Sequence, residues 1–335
     1  MALVIPDSNS RTKKEVFPVG WYVMSVSSQV KSRPVGVRRL GIDLVLWRDS
    51  KGKIVCQSRH CPHRGVDLAL GKISQQNGKS CLECPYHGFR FAGDGSCVLI
   101  PCDEVGNRIS QKIRVESYKV EESHGFIWLW WGDEISEIPK IDWFEELGDN
   151  PRRFCNGEMV WDVNFTRVVE SALIDVHHFV FAHHKIAKWS GIGNAKRLDN
   201  FETEVVGNQI KAKGILKSEG DNRSLIRFKN KIIFPNLSVF DFGLGGIKLF
   251  ATFTPIDENK TWVGFRYYIP FGLPWISRWI AKIAVWFDLN LGQPDDYLLF
   301  KSSIPRQGSL KGNGFVRADE TIVRWHQLNK HHQQK

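Results

Sequence analysis

From residue 11 to about 133 the chain reads as short apolar or alternating runs broken by Gly, Pro, Asn and Asp, the pattern of β-strands joined by tight turns. Strands are predicted at 21–26, 35–40, 44–48, 54–58 and 127–130, with turns such as Asp49-Ser50-Lys51-Gly52 and Ala92-Gly93-Asp94-Gly95. Residues 132–151 then turn acidic, carrying Asp133, Glu134, Glu137, Asp142, Glu145, Glu146 and Asp149, and read as a connection. A helical pattern near 167–184 is followed by a strand-rich region over 201–271. Its strands include 232–234, 249–254 and 262–269, the last two joined by a turn at Asp257-Glu258-Asn259-Lys260. A helix-like stretch runs from 274 to 303. The layout is a small all-β domain (12–133), an acidic connection (134–151) and an α+β domain (152–330), with no internal repeat.

Composition narrows this picture. With 335 residues, 42% hydrophobic and 24% charged, the chain matches neither disorder nor a collagen-like repeat. Roughly three-quarters of the unfolded surface of a chain this long is buried on folding, so disulfides are not needed for stability. Seven Cys, an odd number, fit reduced thiols with some given to metal better than a secreted disulfide scaffold. The apolar run Met1-Ala2-Leu3-Val4-Ile5 is too short for a signal peptide, which gives the expectation of a cytoplasmic protein. The net charge of +10 points to nucleic acid, a membrane surface or an acidic protein. No clustered Lys/Arg with interleaved aromatics supports nucleic acid. Residues 273–291 are the most membrane-like, but Arg278, Lys282 and Asp288 interrupt them. A buried amphipathic helix is expected there, with weak membrane association through a surface-lying helix as the alternative. Thirteen Trp beside six Tyr have no explanation at this level.

The chemistry concentrates in two places. Cys61-Pro62-His63-Arg64-Gly65 and Cys84-Pro85-Tyr86-His87-Gly88 each supply one thiolate and one imidazole. Cys₂His₂ ligation fits tetrahedral zinc or a [2Fe–2S] cluster in which two His hold one iron. Zinc fingers group like ligands together, whereas each arm here pairs unlike ones. Downstream, Asp175, His177, His178, His183 and His184 crowd a short segment behind Glu170. Two His and one carboxylate on one face of iron is the ligand set of non-heme Fe(II) oxygenases. Regular helix geometry favours His177 with His184, seven apart and on one face; His178 and His183 lie about 140° apart on a helix and meet only if it bends or ends.

The paired Cys-Pro-His-Arg-Gly and Cys-Pro-Tyr-His-Gly motifs resemble those of Rieske-type non-heme iron oxygenases. The resemblance spans nearly the whole chain, from Phe17-Pro18-Val19-Gly20-Trp21-Tyr22 to Arg317-Ala318-Asp319 and Trp325. It implies that Cys61 and Cys84 hold one iron of a [2Fe–2S] cluster and His63 and His87 the other, with Phe89 standing where many members carry Trp. Asp175-x-x-His178-x₄-His183 matches the family's Asp-x-x-His-x₄-His motif, implying that His178 and His183 hold a mononuclear Fe(II). Asp296, with Asp295 as runner-up, stands in the register of the third ligand. Asp175 would link His178 to His87 of the partner subunit as the electron bridge. The family's Glu-Asn pair is Glu170-Ser171 here, so no role of that Asn transfers.

The fold so implied is α+β: an N-terminal all-β Rieske domain, then a helix-grip (START-like) catalytic domain with a large antiparallel sheet. The implied enzyme is a terminal oxygenase resembling the single-subunit aryl demethylases, steroid hydroxylases and chlorophyll-pigment oxygenases. It would take electrons from a ferredoxin or a flavin/iron–sulfur reductase, whose common acidity suits the basic balance. With O₂ it would hydroxylate or dealkylate a hydrophobic, ring-containing substrate, bound among the apolar stretches 232–234, 239–242 and 249–253, as a homotrimer. Two alternatives are a Rieske electron-transfer protein without oxygenation and a zinc-bearing nucleic-acid binder.

Overall fold

In the computed structural model of the chain the described residues are 17–103, 109–133, 137–172, 175, 178–183, 194–220, 224–311 and 314–333. His177 and His184 lie outside them. The chain divides into two units, residues 20–141 and residues 142–335 with 1–19.

The first unit is built of short antiparallel strands. They are β1 (Gly20–Val26), β2 (Val35–Arg39), β3 (Ile42–Arg48), β4 (Ile54–Ser58), β5 (Lys72–Gln76), β6 (Lys79–Glu83), β7 (Arg90–Ala92), β8 (Cys97–Leu99), β9 (Ser117–Tyr118), β10 (Val120–Ser123) and β11 (Phe126–Trp131). They form three sheets, ordered β1-β11-β10, β2-β3-β4-β9 and β5-β6-β7-β8. The apolar runs predicted as strands are buried on both faces, as in Trp21–Val26 of β1 and Leu44–Trp47 of β3. Trp47 is fully enclosed, and its indole N–H donates to Gln57 Oε1 at 3.1 Å, so the ring brings no unpaired donor into the core. Two loops, one after β4 and one after β6, carry the Cys and His motifs.

The second unit is organised by one seven-stranded antiparallel sheet. Its strands are β12 (Phe154–Trp161), β13 (Arg197–Val206), β14 (Gln209–Lys217), β15 (Ser224–Ile233), β16 (Leu237–Asp241), β17 (Lys248–Pro255) and β18 (Thr261–Tyr268), ordered β12-β18-β17-β16-β15-β14-β13. β14 alternates buried and open positions, the signature of one covered face. β17 and β18 are buried almost throughout, since helices lie over them.

Helices depart from the predicted pattern in three ways. The single helix expected near 167–184 is instead α1 (Phe165–Ala172) and the short α2 (Phe179–Ala182). Asp175 lies outside both, and its Oδ1 accepts the His178 N–H at 3.3 Å. A short acid bonding locally to the backbone starts a new turn rather than continuing the old one. The stretch 274–303 is likewise divided, into α3 (Pro274–Phe287), a π-turn (Asp288–Gly292) and α4 (Gln293–Ser302). Pro294 lacks an N–H and cannot serve a helix interior, and the wider turn before it places it in the first turn of α4. Finally, α3 is not buried on its aromatic side. It sets Ser277, Ala281 and Val285 inward and leaves Trp275, Trp279 and Trp286 exposed. The chain ends in α5 (Glu320–Gln333), whose Trp325 N–H donates to Pro235 O at 3.0 Å.

Candidate metal centres

The two motif loops of the first unit share one hydrogen-bonded frame. Gly65 N–H donates to Cys61 O at 2.8 Å and Cys61 N–H to Val66 O at 2.9 Å; Gly88 N–H donates to Cys84 O at 3.1 Å and Cys84 N–H to Phe89 O at 2.8 Å. Each loop closes on a glycine in the left-handed region, with φ of 71° at Gly65 and 72° at Gly88. The loops are twins in frame but not in ligand position, because His is third in one and fourth in the other.

Both cysteines are 3% exposed and belong to a hydrophobic cluster with Trp47, Leu82, Phe89 and Phe91. The His63 and His87 ring centroids are 4.8 Å apart, and Phe89 stacks on His63 at 4.7 Å with planes 4° from parallel. Burial, with the Cys84 thiol beside it, pushes the Cys61 thiol up to about 11, while the backbone N–H groups of His63 and Arg64 aimed at its sulfur pull the other way. Two buried sulfurs, N–H groups directed at one of them, and two adjacent imidazoles fit a [2Fe–2S] cluster with mixed Cys/His ligation. His60, beside this set, is exposed and turns to Asp43 at 3.5 Å.

The five cysteines outside the two motifs differ in burial. Cys56 and Cys81 are buried and Cys97 and Cys155 half-buried, but Cys102 is exposed, in the turn that follows Pro101.

The second centre draws on three elements. Val180, between the two His in sequence, is buried in a cluster with Phe201, Ala212, Leu216 and Phe228, which fixes the α2 segment on strands β13–β15. His178 precedes α2 and His183 follows it, so the segment's irregularity is what lets residues five apart converge. On α4, Asp296 and Phe300 are one turn apart and both buried. His183 Nε2 lies 3.2 Å, and His178 Nε2 3.6 Å, from Asp296 Oδ1. One ligand atom from each of the three residues lies within 4.8 Å of the others. Asp295 is half-buried, and its Oδ2 lies 4.0 Å from His183 Nδ1.

Asp296 Oδ1 is enclosed and accepts no hydrogen bond among the described residues. A buried carboxylate oxygen left without a donor costs free energy unless a cation meets it. Two imidazole nitrogens facing that oxygen fit a divalent metal such as Fe(II). Burial opposes charge on His178, but the Asp175 and Asp296 carboxylates outweigh it and raise its pKa. The His178 ring Nδ1 also meets Asp175 O, which orients the ring and leaves Nε2 toward Asp296.

Two buried acids of this unit have surroundings that the sequence reading did not give. Asp288, in the π-turn, is held by Gln293 Nε2 at 3.2 Å and by a hydrogen bond from Tyr267. Burial pushes its carboxyl up to about 7; the Gln293 hydrogen bond opposes this and the Asp296 charge adds to it. An acid eight residues, two turns, before Asp296 in an apolar helical run was the available signal. Glu170 is also buried, paired with Arg167 Nη1 at 2.6 Å and with His326 of α5. Nothing in local spacing joins Glu170 to a residue so far along the chain.

The Rieske [2Fe–2S] domain family matches residues 20–119. The 4beta-methylsterol monooxygenase of Methylococcus capsulatus is 33% identical over 80% of this chain and 74% of its own. Protein TIC 55, chloroplastic, of Arabidopsis thaliana is 27% identical over 85% of this chain and 54% of its own. The vanillate O-demethylase oxygenase subunit of a Pseudomonas species is 31% identical over 49% and 44%. The chain thus spans about half the length of several curated relatives it matches. Among solved structures, dicamba monooxygenase bound to dicamba superposes with a TM-score of 0.75 at 22% identity, covering 95% of this chain and 97% of that one. At that identity the likeness speaks for the fold alone, an all-β Rieske domain with a large antiparallel catalytic sheet. The Rieske domain implies a [2Fe–2S] cluster. With one-third identity to a monooxygenase over most of both chains, this chain belongs to the Rieske-type non-heme iron oxygenases.

Proposed function

We propose that this chain is a terminal oxygenase component, taking electrons from a ferredoxin or a flavin/iron–sulfur reductase and using O₂ to hydroxylate, dealkylate or otherwise oxidise a hydrophobic, ring-containing substrate. The observation that carries the reading is Asp296 Oδ1, buried, without a hydrogen-bond donor among the described residues and facing two imidazole nitrogens. Cys61, His63, Cys84 and His87 are the proposed cluster ligands, and His178, His183 and Asp296 the proposed iron ligands. When bound, the cluster supplies single electrons, and Fe(II) on two His and one carboxylate keeps positions open for O₂.

The chain's own residues set the geometry. Phe89 covers one face of His63, and the N–H groups of His63 and Arg64 stabilise thiolate at Cys61. Asp175 holds the His178 ring so that Nε2 is free to ligate, and we propose it as the link to the cluster of a partner subunit in a homotrimer. Ile232, Val239, Phe250 and Phe253 are buried apolar side chains of the seven-stranded sheet, and Phe234, also buried, follows β15, which suits an apolar substrate. Two of the named relatives are a 4beta-methylsterol monooxygenase and a vanillate O-demethylase oxygenase subunit, and both of those compounds contain rings. No helix of the described residues is long and apolar enough to cross a membrane. The cysteines are free, in keeping with a reducing compartment, for which we propose the cytoplasm.

The test is anaerobic reduction of the iron-loaded chain followed by EPR, then O₂ uptake with a panel of hydrophobic ring compounds. A reducible Rieske signal together with substrate-stimulated uptake supports the reading. A reducible signal with no stimulated uptake across the panel leaves an electron-transfer protein in its place.

A further inference from the structure

We propose that the outward face of α3 lies in the headgroup layer of an anionic membrane surface. At 100° per residue Trp275, Trp286 and Trp279 fall within about 40° of one another on the helix. They are 68%, 58% and 64% exposed, and Ile283 beside them is 36% exposed. The opposite face, Ser277, Ala281 and Val285, already packs inward, so the indoles contribute nothing to the core. Scattered exposed apolar residues are ordinary, but three Trp in one stripe are not. Indole combines an apolar body with an N–H donor, which suits the boundary between acyl chains and headgroups better than either side alone.

Charge selects the occupant. α3 carries no acidic residue, and Arg278 and Lys282 lie exposed one turn apart along one edge of the stripe. Both act on Cys155 of β12, so the flank of the helix toward that strand is positive. Arg153, bonded to Pro270 O at 2.7 Å, adds a third cation beside the start of the helix. An aromatic stripe edged by cations is the composition of helices that lie in the plane of anionic bilayers. The chain's net charge of +10 acts in the same direction. α3 leads through the π-turn into α4 and Asp296, so a lipid-resting face is next to the metal centre along the chain.

The test uses the full chain and extruded vesicles of phosphatidylcholine with and without phosphatidylglycerol, read by co-sedimentation and Trp emission. The expected result is binding to the phosphatidylglycerol vesicles, a blue-shifted emission and release by salt. The triple variant W275S/W279S/W286S and the double variant R278E/K282E should each weaken binding by about tenfold or more. All these positions are exposed, and circular dichroism checks that both variants fold. Absence of binding to either vesicle, or binding unchanged in both variants, overturns the proposal. So does a wild-type oligomer that binds no vesicle and falls apart in the triple variant, which would assign the face to a second copy of the chain. Vesicle binding is read independently of oxygen uptake, so its failure leaves the oxygenase reading untouched.

Discussion

His183 Nε2 lies 3.2 Å from Asp296 Oδ1, the same oxygen that faces His178 Nε2 at 3.6 Å, so one carboxylate oxygen is shared between two imidazoles from a different part of the chain. Asp295, its neighbour, addresses the other nitrogen of His183 at 4.0 Å. Asp296→Ala should therefore lose the mononuclear iron while keeping the cluster, so that total iron falls to what the acid-labile sulfide accounts for. Asp295→Ala should keep both. Iron and sulfide assays on the two purified variants decide it, and the reverse result would move the third ligand to Asp295.

Asp175 acts on His178 from within its own turn, through its backbone carbonyl at ring Nδ1 and its carboxylate at 3.8 Å. Outer partners of a ligating His fix its tautomer, and replacing them costs roughly 10- to 100-fold in metal affinity or activity. Asp175→Asn is isosteric and removes the charge. Oxygen uptake should fall by about that factor, with the EPR signal of the reduced cluster unchanged. Full turnover in this variant would remove Asp175 from the working centre.

The twin loops make a graded prediction. Gly65 and Gly88 both have left-handed φ, yet a Cβ at Gly65 meets nothing within 4 Å, whereas one at Gly88 sits 3.0 Å from Pro101 Cγ. Gly65→Ala carries only the backbone strain, about 1–2 kcal/mol. Gly88→Ala adds a contact that Pro101 must relieve, so its first unit should melt lower than that of Gly65→Ala. The visible absorption of the cluster, followed during heating, reports both.

The strands of the first unit and the two Cys/His loops were legible because their signals are local: alternation, turn residues, and a Cys and a His within five positions of each other. The break between α1 and α2 was not, because 3.6-residue periodicity continues across it and only the Asp175 carboxylate's bond to His178 N–H marks the restart. Helix geometry by itself favoured His177 with His184, and it took the family's motif to single out His178 and His183. For α3 the periodicity was right and the polarity inverted. Hydrophobicity places Trp inside, but the face with small residues is the one that approaches β12 and β18 closely. Asp288 and Glu170 owe their surroundings to partners such as Tyr267 and His326, which no spacing rule connects to them.

Val180 ties the His segment to the sheet. It is 5% exposed among Ala212, Phe228 and their neighbours. Val180→Ala removes two methyl groups from a packed cluster, a loss of about 2 kcal/mol including the space left behind. The more telling consequence is at the proposed metal centre: His178 and His183 are held in register by this anchor, so iron affinity should fall with stability although no proposed ligand has changed. Competition with a chelator measures it. A variant that melts lower yet holds iron as tightly as the parent would show that the ligands are fixed by α4 alone.

The Asp288 carboxyl titrates near 7 in the folded chain because burial disfavours its charged form. Its unfolded value is about 3.9, so between about pH 4 and pH 7 the folded state binds the extra proton. Stability from this group is therefore complete below about pH 4 and is lost as pH rises through 7, approaching ~4 kcal/mol in the metal-depleted chain. His178, whose pKa is also raised, loses its contribution in the same direction, so the wild-type profile alone does not separate the two. Asp288→Asn does. The amide keeps a hydrogen-bond acceptor for Gln293 and carries no charge at any pH, so the variant should be more stable than the parent at about pH 8 and no more stable at about pH 5. Urea unfolding of the second unit at both pH values, monitored by Trp emission, gives the two differences; equal differences would mean that Asp288 keeps its proton, or its charge, across the whole range.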